Sequence, residues 1–216
     1  MLLHGGFWKQ AFDRSLMTPI AEALADAGLI VWNVEYRRWG PGDEGVWQET
    51  ISDVLRAWGH LEGLDGVDAA RTAVIGHSAG GHLALLVAAL SERHPKVCIA
   101  QAAVSDLVAA DAEALSDEGD AVRRWVGGPV EDQATPWNAL NPTQLTPQCP
   151  VILAHGEDDA DVPVAMSRAC AEAYAGRGFV ADVMPLSGDH YTIIDASHEN
   201  WGRIQEVLLV WLMSGK

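Results

Sequence analysis

Ser78 stands in the run Gly76-His77-Ser78-Ala79-Gly80-Gly81, after a short apolar stretch with β-branched residues and before a helix-forming run over 82–90. A serine on a tight strand-to-helix turn can act as a nucleophile. The turn lifts its hydroxyl above the sheet edge, glycines two positions either side keep neighbouring backbone clear, and the helix N-terminus points N–H groups at an oxygen that becomes negative. With 21 glycines in the chain, Gly-x-Ser-x-Gly alone is a weak signal, and the strand before it and helix after it carry the reading. This turn has neither of the glycine patterns that cradle a phosphate, so no cofactor is expected.

A serine hydroxyl needs a base, and the base needs an orienting carboxylate. Two later loops supply them. After the apolar run Val151-Ile152-Leu153-Ala154 comes His155-Gly156-Glu157-Asp158-Asp159-Ala160-Asp161-Val162-Pro163, whose four carboxylates crowd one strand end; Asp159 is the expected acid. Ser187-Gly188-Asp189-His190-Tyr191 follows the next apolar run, and His190 is the expected base. Its rate contribution should rise as the imidazole loses its proton, because a protonated ring cannot accept the serine hydrogen. His60, His94 and His198 fall near helix ends, and His77, His82 and His155 read as packed or hydrogen-bonded supports. Without an H-x-x-x-H or H-E-x-x-H helix pair, no metal site is expected. Trp8, Trp39, Trp125 and Trp137 fall in stretches that should gather above the strand ends, where with Tyr191 they would wall an apolar, partly aromatic substrate pocket.

These residues need a scaffold that brings distant loops together. Short apolar runs alternate with longer segments of helical period, the pattern of a mostly parallel sheet of about six strands flanked by helices. Strands are expected over 29–35, 72–76, 97–104, 151–155 and 180–186, and helices over 16–27, 47–61, 79–92, 163–175 and 199–213. The segment 105–150, acidic and then rich in Trp, Pro and Asn, reads as a small cap-like insertion in a single α/β domain spanning 1–216.

The 216 residues are 49% hydrophobic and carry a formal charge of −16, which opposes binding to nucleic acid or anionic membranes and favours a small neutral or cationic partner. Cys98, Cys149 and Cys170 cannot all pair within the chain and lack zinc-ligand spacing, which fits a reducing, cytoplasmic setting. No leader peptide or membrane span is visible.

Three separated blocks, His4-Gly5-Gly6-Phe7-Trp8, Gly76-His77-Ser78-Ala79-Gly80-Gly81-His82-Leu83-Ala84 and His155-Gly156 with Asp159 and Val162-Pro163, together with Asp189-His190, resemble the α/β-hydrolase superfamily in order and spacing. The form of the first two is most similar to the kynurenine formamidase (arylformamidase) and esterase/lipase-like branch. The resemblance implies Ser78 as nucleophile, Asp159 as acid and His190 as base, with backbone N–H groups of Gly6, Phe7 and Ala79 as the oxyanion hole. It implies a substrate that is a small carboxylic ester or aryl formamide. A small-substrate amidase or peptidase, or an inactive hydrolase-fold binding protein, stays open beside it.

Similar hydrolases align with this chain only after their first two strands and most of the third. Residues 1–3 would then be the stub of an interior strand, leaving 29–35 as an edge prone to pair with a second copy as a homodimer.

Overall fold

The computed structural model describes residues 1–132 and 136–214; residues 133–135, within the expected insertion, lie outside the described residues. Six strands form one sheet in the order β2-β1-β3-β4-β5-β6, every pair parallel. They are β1 (Leu2–Leu3), β2 (Asn33–Val34), β3 (Ala73–His77), β4 (Val97–Gln101), β5 (Val151–Gly156) and β6 (Ala181–Leu186). Helices α1 (Thr18–Asp26), α2 (Trp47–His60), α3 (Ala79–Leu90), α7 (Val164–Ala175) and α8 (Glu199–Met213) cover both faces, with α4 (Leu107–Ala112), α5 (Ala121–Val126) and α6 (Trp137–Leu140) between β4 and β5.

The central strands read as continuous apolar runs because both faces are buried. Successive residues alternate between two cores. Val74, Cys98, Ala100, Val151 and Leu153 pack with Val54 and Trp58 of α2, Leu83, Leu85 and Leu86 of α3 and Tyr174 of α7. Ile75, Ile99, Ile152 and Ala154 pack instead with Ile20 and Leu24 of α1 and Ile204 and Leu208 of α8. Helix α3 runs beneath the sheet with Ala79 through Ala88 all buried, which explains why it is apolar on every side.

Two expected strands are shorter than their sequence suggests. Only Asn33–Val34 of 29–35 pairs, because β1, its neighbour, offers a ladder two residues long. The Leu2 N–H still reaches the Trp32 carbonyl at 2.8 Å, so pairing begins at the first residues that have a partner. β2 is one edge of the sheet, and β6 is the other. The other shortened strand stops at Gln101 instead of running to 104, since Ala102 turns to φ +45° and leaves the pleat. Helix α1 begins at Thr18 after a 3-10 turn over Arg14–Met17, with Pro19 in its first turn where no N–H is needed. Among the described residues no helix is long and apolar enough to cross a membrane.

Candidate active site

Ser78, Asp159 and His190 follow the carboxyl ends of β3, β5 and β6, and Gly6 and Phe7 follow that of β1. Ser78 caps α3 directly after β3, with φ 56° and ψ −120°, a conformation costly for a residue with a side chain. Surrounding bonds hold it there. The Ser78 N–H donates to the Gln101 carbonyl at 2.8 Å, and its own carbonyl accepts from the N–H of His82 at 3.0 Å and of Val104 at 3.3 Å. The serine is therefore fixed by the neighbouring strand as well as by its own helix.

The loop after β1 lies against this turn. A Cβ added to Gly5 would meet the Ser78 Cβ at 2.9 Å. Gly6, Phe7 and Trp8 follow with φ of +105°, +48° and +55°, three successive left-handed residues of which two are bulky aromatics. Such strain persists only where other contacts over-determine it. Here Trp39 does much of that: its backbone N–H donates to the Trp8 carbonyl at 2.9 Å, its carbonyl accepts from Gln10 at 2.8 Å, and its indole N–H donates to the Phe7 carbonyl at 3.1 Å. The Tyr36 hydroxyl donates to the His4 carbonyl at 2.6 Å, with the two rings stacked at 4.4 Å. The N–H groups of Gly6 and Phe7 find no acceptor among the described residues.

His190 and Asp159 meet across two loops, Nδ1 to Oδ2, at 2.7 Å, both buried. The other Asp159 oxygen accepts the N–H groups of Asp161 at 2.9 Å and Val162 at 2.8 Å. Burial pushes the Asp159 carboxyl up, but hydrogen bonds from His155 and His190, the His190 charge and the Val162 N–H outweigh it and hold the group well below the usual carboxylate range. His155 Nε2, 3.3 Å from Asp159 Oδ2, also donates to the Val162 carbonyl at 2.8 Å, while its Nδ1 accepts from the Ser167 hydroxyl at 2.7 Å. His155 is thus a clamp on the Asp159 carboxylate. His77 Nε2 donates to the His190 carbonyl at 2.9 Å, and burial above all lowers its ring to about 3.

Ser78, His190, Gly6 and Phe7 line one cleft of about 290 Å³. No hydrogen bond joins the Ser78 hydroxyl to His190 among the described residues, and such contacts commonly tighten only when substrate binds. The remaining walls are Lys9, Phe12, Leu16, His77, the segment 114–117, Ala160, Asp161 and Tyr191. The four expected tryptophans are not among them. Trp8 and Trp125 stack at 4.5 Å with His82 edge-on to both, Trp137 is buried in the same core, and Trp39 clamps the loop. Burial removes most of their apolar surface from water, which wins over leaving it exposed to a wet cleft. Ala79 is fully buried under the turn, and of the expected pocket residues only Tyr191 lines the cleft.

Among the described residues, one group brings three metal-ligating atoms within 4.8 Å of each other: Asp159, Asp161 and His190. Two of the three, Asp159 and His190, are already joined by the 2.7 Å hydrogen bond between them.

The sequence profile of the family BD-FAE matches residues 1–174, four-fifths of the chain. The chain belongs to the BD-FAE family. A comparison with the curated proteins finds no match. Among solved structures, this BD-FAE chain is similar to a truncated carbohydrate esterase from gut microbiota, with a TM-score of 0.80 at 16% identity over 99% of this chain and 85% of that one. Esterase B from Lactobacillus rhamnosis superposes at 0.78 with 22% identity, over 97% and 73% of the two chains. A thermophilic esterase from Thermogutta terrifontis superposes at 0.70 with 21% identity, over 100% and 83%. At these identities the likeness fixes the fold, that of the α/β-hydrolases.

Several residues of the candidate site in this BD-FAE chain are not legible in sequence. Phe12 and Leu16 precede the first helix, and Leu115 to Asp117 come from the insertion; only three-dimensional folding brings them to the cleft. Asp161 does carry a signal, being two residues after the acid in the same loop.

Proposed function

We propose that this protein is a serine hydrolase that cleaves small carboxylic esters through an acyl-enzyme on Ser78. The observation that carries this reading is the 2.7 Å contact of Asp159 with His190, a histidine that lines the same cleft as the strained Ser78. The esterases named among the similar structures support it as well.

In this mechanism, Asp159 holds His190 with its proton on Nδ1, which leaves Nε2 free to take the hydrogen from the Ser78 hydroxyl as the oxygen attacks the ester carbonyl. The carbonyl oxygen becomes negative and is met by the N–H groups of Gly6, Phe7 and Ala79, each worth about 3 to 4 kcal/mol of transition-state stabilisation. His190 then gives its proton to the departing alcohol. A water molecule repeats the cycle on the acyl-serine and releases the acid.

Phe7, Phe12 and Tyr191 on the walls favour a second substrate, an aryl formamide, cleaved by the same steps. A fluorophosphonate probe tests the common mechanism. It should label the wild type and not Ser78→Ala, and an unlabelled wild type would point to a binding protein. A screen pairing short-chain and aryl esters with N-formylkynurenine then separates the two substrate classes.

A further inference from the structure

The cleft carries more negative charge than a Ser-His-Asp mechanism uses. Besides the buried Asp159, its mouth holds Asp117, from the segment after α4, and Asp161, from the loop between β5 and α7. Both are exposed. An oxygen of Asp161 lies within 4.8 Å of a ring nitrogen of His190, so this charge stands close to where the ester must sit. The one lysine or arginine among the lining residues is Lys9, and its ammonium is already paired with Glu118 and lies 5.9 Å from the centroid of the Trp39 ring. Nothing on the walls is left over to neutralise Asp117 and Asp161. Tyr191, at the same mouth, registers the field: partial burial first, then the carboxylates of Asp161, Asp117, Asp159 and Asp189, raise its phenol above the ordinary value.

A cleft lined by one sign of charge over a low-dielectric wall focuses its field on whatever enters. We propose that Asp117 and Asp161 determine specificity, admitting esters whose acid and alcohol parts are neutral or cationic and turning away esters that carry a free carboxylate. The inference rests on the hydrolase reading above and narrows its substrate class. It also bears on turnover, since each cycle creates a carboxylate inside the cleft and the same field drives that product out.

The test compares p-nitrophenyl butyrate with mono-p-nitrophenyl succinate, whose acyl parts have the same number of carbons and differ by one carboxylate. In the wild type at low ionic strength, kcat/KM for the succinate ester should be lower by on the order of tenfold, the size expected for like charges a few ångströms apart in partly screened surroundings. That gap should shrink as salt is raised to about 0.5 M, where the screening length falls to a few ångströms. In Asp117→Asn/Asp161→Asn the ratio of the two kcat/KM values should move several-fold toward unity. Equal turnover of both esters by the wild type overturns the inference, and so does a gap that ignores salt, a measurement that needs no variant to fold. A double variant that is folded and keeps the full gap also overturns it. Turnover of neither ester by the wild type is a different result: it overturns the hydrolase reading, and this inference with it.

Discussion

Gly80 passes so close to Leu3 that a Cβ on it would lie 2.2 Å from the Leu3 carbonyl oxygen. Helix α3, which fixes Ser78, therefore rests directly on the strand that delivers the loop of Gly6 and Phe7. Neither backbone can yield without moving the two halves of the site apart. Gly80→Ala should lower ester hydrolysis at least 100-fold and cost about 3 kcal/mol or more of stability, as overpacking against backbone does at its severe end. Gly59→Ala is the contrast: it lies exposed within α2, with nothing within 4 Å of the added carbon, and should stabilise by about 0.5 to 1 kcal/mol. Thermal melts of both variants check the pair, and a Gly80→Ala enzyme as active and stable as wild type would refute the contact.

Asp159 is arranged so that its charge can be removed without unfolding its loop. An asparagine there keeps an oxygen for the N–H groups of Asp161 and Val162, but turns an amide N–H₂ toward His190 Nδ1, while the His155 Nε2–H keeps the Val162 carbonyl as its acceptor. His190 Nδ1 must then accept, which puts the proton on Nε2 and blocks uptake from Ser78. Asp159→Asn should cut kcat by about 10³ to 10⁴, with little change in KM. Steady-state kinetics decide it, and near-normal kcat in a folded variant would remove Asp159 from the mechanism.

Residues fixed by local chemistry are legible in the amino-acid order itself. Ser78 is marked by glycines at fixed offsets, and Asp159 and His190 by strand ends followed by short loops. The cleft walls are not, because which tryptophan faces a cavity depends on which partner can stack on it. Trp8 meets Trp125, and no spacing in sequence announces that. The length of β2 is equally hidden, since a strand is as long as its partner and not as its own run of apolar residues.

That difference between core and wall is measurable. The Trp125 indole stacks on Trp8 and donates to the Thr50 hydroxyl at 3.1 Å, away from the cleft. Trp125→Ala should cost about 3 to 5 kcal/mol of stability while leaving the order of acyl-chain preference unchanged. Phe12→Ala, in the wall, should raise KM for aryl esters several-fold with a smaller loss of stability. Urea unfolding and a chain-length series of esters test both, and a changed preference in the Trp125 variant would return that residue to the pocket.

Acid should unfold this protein through histidines that take no part in the chemistry. Burial chiefly lowers His4 to about 4, His77 to about 3 and His82 to about 4. In the unfolded chain each binds its proton near pH 6.5, so between about pH 4 and 6.5 the unfolded state holds more protons than the native one. Stability therefore rises with pH across that window and is lost as pH falls below about 6.5. With three such groups their share of the slope approaches about 4 kcal/mol per pH unit near pH 5. His82 donates through Nε2 to the Leu140 carbonyl at 2.8 Å, a bond that a glutamine amide can imitate without titrating. In His82→Gln the slope should fall by about 1.4 kcal/mol per pH unit, the share of one proton. Urea midpoints at pH 7, 6 and 5 measure it in both proteins. Midpoints that stay level from pH 7 to 5 would mean that these rings are charged, or solvated, in the native state.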